Sequence, residues 1–251
     1  MIRVVAQSTI VEEKLGIPGD YQYRALRSKN YLQASWHRNK LVALDRVVSF
    51  GNHDRVLDIG IGSGNFEFAF FNRVKTITGI DYHESAVNFA RGKLKELRIK
   101  NVQLRVADAT SISNLRAAQF ERIVMVDVIE HISEENAKRV VAGIKKVLVP
   151  GGKAVIVTPN YGSVWAIVEK VMDMFKVVPT FSGEQHVCQY TDTKLVRVFE
   201  RAGLKCTFMT SFNLFSHLVP NSAWSEIACG WEVDHVRTFG SLLMGVFEKR
   251  T

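Results

Sequence analysis

The stretch from Arg55 to Phe66 reads RVLDIGIGSGNF and decides the fold class. A short hydrophobic strand ends in Asp58, and a glycine-rich loop then leads into a helix. The loop glycines alternate with other residues: Gly60, Gly62 and Gly64. Such a loop lets a ligand approach the backbone closely and points the N–H groups of a helix N-terminus at an anion. Because Asn65 stands where a dinucleotide fingerprint has its third glycine, and no Lys-Ser/Thr pair follows, the motif differs from nicotinamide and nucleoside triphosphate loops.

Around this stretch, short runs rich in Val and Ile alternate with amphipathic segments. The further runs are TITGID, VQLRVAD, RIVMVDV and KAVIVTP. The amphipathic segments predict helices over Asn65–Asn72, Glu84–Leu97 and Glu134–Leu148, the last with Ser133 as N-cap and ended by Pro150-Gly151-Gly152. Five strands alternating with helices predict a parallel sheet with right-handed crossovers.

The end of the chain has a different pattern. A predicted helix over Asp192–Ala202 precedes two predicted strands, Leu204–Ser211 and Ser241–Glu248, with a looser stretch between them. Two strands joined without a strong crossover helix favour an antiparallel pair. The sequence therefore predicts an α/β fold: a Rossmann-like, seven-stranded, mostly parallel sheet with an antiparallel C-terminal edge strand and helices on both faces.

The amino-acid composition limits the cellular compartment and the binding partners that we expect. The 251 residues are 47% hydrophobic and 23% charged, and three dispersed cysteines favour neither a zinc cluster nor a disulfide framework. No run of 18 apolar residues and no secretory signal occurs, so we expect a cytoplasmic protein. A net charge of +8 favours an anionic partner. Because the densest basic stretch, Arg91–Lys100, has the pattern of a solvated helix face, we do not expect nucleic-acid binding.

Acidic residues end four successive predicted strands: Asp58, Asp81, Asp108 and Asp127. Ligands of such sheets bind at the carboxyl ends of the strands. Asp81 follows the glycine loop at the spacing of an acid that accepts hydrogen bonds from both ribose hydroxyls. Asp108 could accept from an adenine amino group. The four acids together predict a nucleoside site at this edge.

With these motifs, Arg55 to Thr158 resembles the class I S-adenosylmethionine-dependent methyltransferases. The resemblance implies S-adenosylmethionine as the cofactor, with Asp58 and the glycine loop cradling its methionine end. It places six more residues along the strand ends: Asp81 at the ribose, Tyr82 beside the adenine, Asp108 and Ala109 at the adenine edge, and Val126 with Asp127 under the sulfonium.

Upstream of the first strand, YLQASWHRNK puts Trp36, His37 and Arg38 on a predicted helix. By similarity to small-molecule and lipid-linked members of the family, Arg38 pairs with the cofactor carboxylate; the alternative is a surface arginine. We therefore predict one domain over residues 1–251. It comprises an N-terminal helical cap (1–50), the cofactor-binding core (51–160), an apolar lid (161–190) and the C-terminal helix and strands (191–251).

The segment after the fifth strand resembles the ubiquinone-biosynthesis O-methyltransferase group. It is apolar over a wide arc between residues 163 and 178, which predicts a lid that closes over substrate. The alternative is a helix that lies on a membrane surface and reaches a lipid-dissolved substrate. We assign Tyr161 and His186 to the substrate side of the site, since related families approach the substrate near His186; a structural loop histidine is the alternative.

His131, in DVIEHI directly after the fourth strand, is the candidate general base, with Asp127 beside it. The alternatives are that His131 caps the next helix or fixes Asp127 by a hydrogen bond. Similarity to the ubiquinone-type group also suggests a divalent ion held by Asp127, Glu130 and His131. The first of these positions is commonly Glu in that group, and the shorter Asp speaks against the site, so we assign no metal.

We therefore expect the protein to transfer a methyl group to a hydroxyl of a small, lipid-like or lipid-linked acceptor. The alternatives are methylation of a nitrogen on a sugar, RNA or protein, and a non-catalytic cofactor-binding scaffold. The N-P-P-Y type of run found in RNA-base enzymes is replaced by Asp127-Val128-Ile129-Glu130, which disfavours RNA. The four acids argue against a decayed site. Peripheral membrane contact stays open, and the sequence does not fix the oligomeric state.

Overall fold

The computed structural model describes residues 17–115, 120–165 and 186–250. The strands are β1 Arg55–Ile59, β2 Thr76–Asp81, β3 Val102–Val106, β4 Phe120–Val126, β5 Leu148–Pro159, β6 Leu204–Phe212 and β7 Leu242–Lys249. The described α-helices are α1 Tyr21–Leu26, α2 Tyr31–Val47, α3 Asn65–Phe70, α4 Glu84–Glu96, α5 Glu134–Val147, α6 Asp192–Arg201 and α7 Ser222–His235. Short 3-10 turns cover Phe71–Arg73, Ala109–Asn114, Ile129–His131 and Ser216–Leu218.

All seven strands form one sheet, in the order β3-β2-β1-β4-β5-β7-β6. The pairs β1–β2, β2–β3, β1–β4 and β4–β5 are parallel, whereas β7 runs antiparallel to β5 and to β6. The predicted fold class is confirmed. The antiparallel C-terminal strand β7 lies one place in from the end of the sheet, and β6 forms the outermost strand.

The sheet is buried on both faces because successive strand residues point to opposite sides. In β1, Val56 belongs to the same buried cluster as Leu44 of α2, and Leu57 belongs to a second buried cluster with Val140 of α5. These four side chains are fully buried. Burial of each contributes about 1.5–3 kcal/mol. Such two-sided burial explains why the predicted strands are continuous apolar runs.

Two local expectations are wrong. The stretch between β6 and β7 is not loose, because it contains the 14-residue helix α7. This helix buries Cys229 and Val233 but exposes Trp224 and Trp231, so apolar residues surround it and no amphipathic period marks it. Pro150-Gly151-Gly152 does not end a helix, since α5 ends at Val147 and these residues lie within β5.

Parts of the predicted domain plan lie outside the described residues. Residues 1–16 of the helical cap and residues 166–185 of the lid are in this position. The lid and its membrane-lying alternative therefore stay predictions. In the part of the chain that the structure describes, no helix is long and apolar enough to cross a membrane.

Candidate active site

The four strand-ending acids lie side by side at one edge of the sheet. The parallel order β3-β2-β1-β4 places Asp108, Asp81, Asp58 and Asp127 in that sequence along the carboxyl ends. Parallel pairing produces this alignment, since each acid lies within two residues of the carboxyl end of its own strand. The site that the sequence predicts therefore exists as a row of carboxyl groups.

The glycine loop connects β1 to α3 in a conformation that requires glycine. Gly60 has φ +83°, and a Cβ at that position would lie 2.1 Å from Val128 Cγ2. The loop is held from the neighbouring strand, because the Gly62 N–H donates to Asp81 Oδ2 at 2.8 Å. The His83 N–H donates to the other oxygen, Oδ1, at 2.8 Å. Asp81 therefore shapes the loop in addition to any contact with a ribose.

A cavity of about 70 Å³ lies between the glycine loop, the end of β4 and helix α2. Of the predicted site residues, its lining includes Asp58, Gly60, Val126 and Asp127. Helices α1 and α2 contribute Gln22, His37 and Lys40. The structure thus brings the predicted loop and strand-end residues together, and adds a wall from the N-terminal helices.

Asp127 forms an ion pair with Lys40, whose side chain is 8% exposed. Its backbone has φ +54°, a strained conformation for a residue other than glycine, and its N–H donates to Val157 O at 3.0 Å. The second carboxylate oxygen, Oδ1, is buried and has no hydrogen-bond partner within residues 17–115, 120–165 and 186–250. A buried oxygen of this kind suits a ligand donor.

Arg38 is not part of this wall. Its Nε lies 3.7 Å from Glu226 Oε1 on α7. Since each helix residue is rotated by about 100° from the last, Arg38 turns away while His37 and Lys40 face the cavity. Burial, together with the Lys40 charge, lowers the pKa of His37 to about 3, so this imidazole is neutral at physiological pH. Helix α2 thus contributes a neutral histidine and a paired lysine to the cavity, and the contact of Arg38 with the cofactor carboxylate stays a prediction.

The adenine side of the edge is open to solvent. Asp108 is exposed, and its Oδ1 accepts from the Thr110 N–H at 2.7 Å and from Thr110 Oγ1 at 2.6 Å. Asp108 thereby caps the 3-10 turn that begins at Ala109. Tyr82, which follows β2, is 37% exposed. The adenine contacts of these three residues stay predictions.

Beyond Asp127, the structure gathers the predicted catalytic and substrate residues. The His131 and His186 ring centroids are 5.2 Å apart, and His186 Nδ1 lies 2.6 Å from the Tyr161 hydroxyl. Glu130 is buried beside them, and its Oε2 accepts from Thr158 Oγ1 at 2.9 Å. Burial is the main cause that raises the pKa of Glu130 to about 7.

This cluster changes the candidate metal ligands. Glu130, His131 and His186 each offer a ligand atom, and these atoms all lie within 4.8 Å of one another. Asp127, which similarity to the ubiquinone-type group suggested as a ligand, is instead paired with Lys40, and His186 lies near Glu130 and His131. Glu130 Oε1 has no hydrogen-bond partner in the described part of the chain. The three side chains therefore fit a divalent ion that prefers imidazole and carboxylate, such as Zn²⁺ or Mn²⁺.

Sequence reasoning missed Gln22 and Lys40. Gln22 Oε1 accepts from the Ser63 N–H of the glycine loop at 2.9 Å, and its carbonyl oxygen accepts from Asn65 Nδ2 at 2.9 Å. No local pattern marks Gln22, because the fold brings it to the loop from a distant position. Lys40 had a signal: it follows His37 by three residues on the same helix face.

Comparison with known proteins agrees with this geometry. Residues 56–152 match the family model described as a methyltransferase domain. The match supports a class I S-adenosylmethionine-dependent methyltransferase domain over these residues. Ubiquinone biosynthesis O-methyltransferases of Pseudomonas putida and Acinetobacter baylyi are 27% and 22% identical to this methyltransferase over 139 residues. The match covers 55% of each chain, so this methyltransferase spans about half the length of the curated relatives it matches.

A solved structure supports the same fold. The N-methyltransferase NodS from Bradyrhizobium japonicum, in complex with S-adenosyl-L-homocysteine, superposes with a TM-score of 0.59 at 16% identity. The superposition covers 91% of this methyltransferase and 96% of NodS. At this identity the likeness concerns the fold, and the acceptor must be argued from the site.

Proposed function

We propose that this methyltransferase moves the methyl group of S-adenosylmethionine to a hydroxyl of a small, lipid-like or lipid-linked acceptor. The observation that carries the proposal is the cluster of Glu130, His131, Tyr161 and His186 next to the Asp127 end of the cofactor cavity. Proton-accepting side chains at that place suit an acceptor that must lose a proton.

The residues of the cavity fit the cofactor. Asp58 and the unpartnered Asp127 Oδ1 are acceptors that suit the positively charged amino group of its methionine end. We assign Asp81 to the ribose, and Asp108 with Tyr82, further along the edge, to the adenine. The bound cofactor supplies a methyl group on a sulfonium that leaves readily, so the protein has to orient the acceptor and take up its proton.

In the proposed reaction, the His131 imidazole takes the proton of the acceptor hydroxyl. The hydrogen bond between Tyr161 and His186 fixes the His186 ring on the far side of the same space. Trp36 and Trp165 pack with ring centroids 5.1 Å apart, and Lys40 Nζ lies 5.8 Å from the centroid of the Trp36 ring. These apolar rings support a lipid-like acceptor, because they offer surface for an apolar group.

A divalent ion is an extension of this proposal. Glu130, His131 and His186 would hold it, and it would supply a Lewis acid that acidifies a bound hydroxyl. Dialysis against a chelator, followed by turnover assays with and without added Zn²⁺ or Mn²⁺, tests the extension. Full activity of the metal-free protein rules it out and leaves His131 as a simple base.

The test of the function uses a cofactor with a labelled methyl group and two acceptors, an alkylated catechol and the matching alkylated aniline. We expect label on the catechol oxygen. His131→Gln should abolish this transfer while S-adenosylhomocysteine still binds. The control is His53→Gln, since His53 is exposed at the opposite edge of the sheet, just before β1. Label on the aniline alone would refute the hydroxyl assignment and favour nitrogen methylation.

We also propose peripheral contact with an anionic membrane through the exposed apolar face of α7. Trp224, Ile227 and Trp231 are each more than half exposed and stand at helix spacings of three and four residues. The acids near this face are neutralised, because Glu226 and Asp234 form ion pairs with arginines of α2. With the chain's net charge of +8, the face suits a negatively charged bilayer.

Cosedimentation with vesicles tests the membrane contact. We expect binding to vesicles that contain phosphatidylglycerol, weaker binding to pure phosphatidylcholine, and loss of binding on Trp224→Ala with Trp231→Ala. Phe239→Ala is the matched control, because Phe239 is 67% exposed outside α7. Vesicle binding that survives the double substitution would refute the membrane contact. A concentration-dependent dimer that the double substitution dissociates would show instead that this face binds a second copy of the chain.

A further inference from the structure

Beneath the glycine loop, two buried carboxyl groups form a pair. Asp58 is the penultimate residue of β1 and is 3% exposed, and Glu67 of α3 is fully buried. Each carboxyl group shifts the pKa of the other, so the two lie close together in the core. In the described part of the chain, no N–H or O–H of another residue donates to either Glu67 oxygen. Because two buried like charges this close repel each other and water does not solvate them, at least one of the two groups keeps its proton.

The surroundings keep Glu67 in its protonated form. A Cβ on Gly79 of β2 would lie 2.7 Å from Glu67 Oε1 and 2.6 Å from Leu104 Cδ2 of β3, so this oxygen faces a closely packed, partly apolar wall. The charge of Asp81, at the end of β2, opposes ionisation of both acids. Burial raises the pKa of Glu67 well above its usual range, and burial raises that of Asp58 to about 7.

Asp58 differs from Glu67 in that it also lines the cofactor cavity. The charged or titratable groups that line the same cavity are His37 and Lys40 of α2 and Asp127 after β4. His37 is neutral, and Lys40 is paired with Asp127. Of the two acids that line the cavity, Asp127 is already offset by Lys40 and Asp58 is not. A positively charged ligand group that enters the cavity is therefore expected to pair with Asp58.

We propose that Glu67 is a positioning residue of the cofactor site: it keeps its own proton and donates it in a hydrogen bond to the Asp58 carboxylate. Binding of the cofactor's ammonium group then expels the remaining proton of Asp58 to solvent. The balance is one proton released and one new ion pair, between ammonium and carboxylate. This inference rests on the proposed function, since it takes the ligand to be S-adenosylmethionine or its demethylated product.

Proton release has a defined pH profile. Below neutral pH the free pair carries two protons and the liganded pair one, so binding at pH 6 should release nearly one proton. At pH 8 the free pair has already lost that proton, and the release should approach zero. The affinity for S-adenosylhomocysteine should therefore rise about tenfold from pH 6 to pH 8, which is the linkage expected for a single group that titrates near pH 7.

Isothermal calorimetry of the whole protein with S-adenosylhomocysteine, in two buffers of different ionisation enthalpy, counts the protons. Adenosine is the control ligand, because it lacks the ammonium group and should release none. Binding of S-adenosylhomocysteine without proton release at pH 6 would overturn the inference and leave the proposed function standing. Failure of S-adenosylhomocysteine to bind at any pH would overturn both.

Variants separate hydrogen-bond donation from packing. Glu67→Gln keeps a donor toward Asp58 and should retain the affinity and the pH profile. Glu67→Leu fills the same space without a donor, so the midpoint should move to higher pH and the affinity at pH 7 should fall at least tenfold. Asp58→Asn should abolish the pH dependence. Equal behaviour of the Gln and Leu variants would overturn the role of Glu67, and the calorimetry of the unsubstituted protein decides proton release even where a variant does not fold.

Discussion

Gly60→Ala is the substitution whose cost the structure defines best. Gly60 has φ +83°, and a left-handed conformation costs a residue with a Cβ about 1–2 kcal/mol. The new Cβ would also lie 2.1 Å from Val128 Cγ2, and overpacking of this kind costs about 1–3 kcal/mol because the branched Val128 side chain is stiff. We expect a total loss of about 3 kcal/mol and much weaker binding of S-adenosylhomocysteine.

Thermal unfolding measures this loss. For a chain of this size, about 3 kcal/mol corresponds to a fall in Tm of roughly 6–12 °C. Gly92→Ala is the matched control: Gly92 lies within α4, and a Cβ there meets no atom within 4 Å. The control should gain about 0.5–1 kcal/mol, because alanine is the better helix residue. The same chemical change should thus have opposite signs at the two positions.

The two contributions at Gly60 can be separated. Val128→Ala removes the clashing methyl group, so Gly60→Ala should cost less in that background, by about 1–3 kcal/mol, and the backbone contribution should remain. An unchanged Tm for Gly60→Ala would refute the assigned conformation. Equal costs with and without Val128 would refute the steric contribution.

Three further predictions concern the site. Glu130 keeps its proton in the native state up to about pH 7, whereas an ordinary glutamate has a pKa of 4.5, so the stability of the protein falls as pH rises through this window. Glu130→Gln should therefore stabilise the protein more at pH 8 than at pH 5. Equal gains at the two pH values would contradict this prediction. Lys40→Met leaves the Asp127 carboxylate without its cation and should lower the free energy of unfolding, measured in urea, by about 1–3 kcal/mol. Adding Asp127→Asn should restore most of this loss. No recovery in the double variant would mean that the two residues are not coupled. His186→Ala should lower turnover with the labelled cofactor without weakening S-adenosylhomocysteine binding, and unchanged turnover would remove His186 from the site.

The fold could be predicted where the local pattern and the tertiary environment agree. The runs RVLDIG and TITGID become β1 and β2 because their residues are buried on both faces, so the apolar run and the strand coincide. Helix α7 could not be found in this way. Its Trp224 and Trp231 are exposed while Cys229 is buried, and the apolar period of a surface helix is lost.

The residues of the site likewise differ in whether the sequence could predict them. The row of strand-end acids, Asp58 among them, follows from parallel topology and could be placed from the sequence. The pairing of Asp127 with Lys40, the approach of Gln22 to the glycine loop and the burial of Glu67 depend on how α1, α2 and α3 pack on the sheet. These contacts join distant parts of the chain, so no spacing in the sequence reveals them.

The hydrogen bonds of α1 to the glycine loop have a kinetic consequence. Ligand sites for molecules of cofactor size measure about 300–1,000 Å³, whereas the cavity between Gln22, Asp58 and Asp127 measures about 70 Å³. We therefore expect helix α1 to move outward, breaking the contact between Gln22 and Ser63, when spent cofactor is exchanged for fresh. The rate of that movement sets an upper limit on how many cycles the enzyme completes per second, whatever the speed of the chemical step.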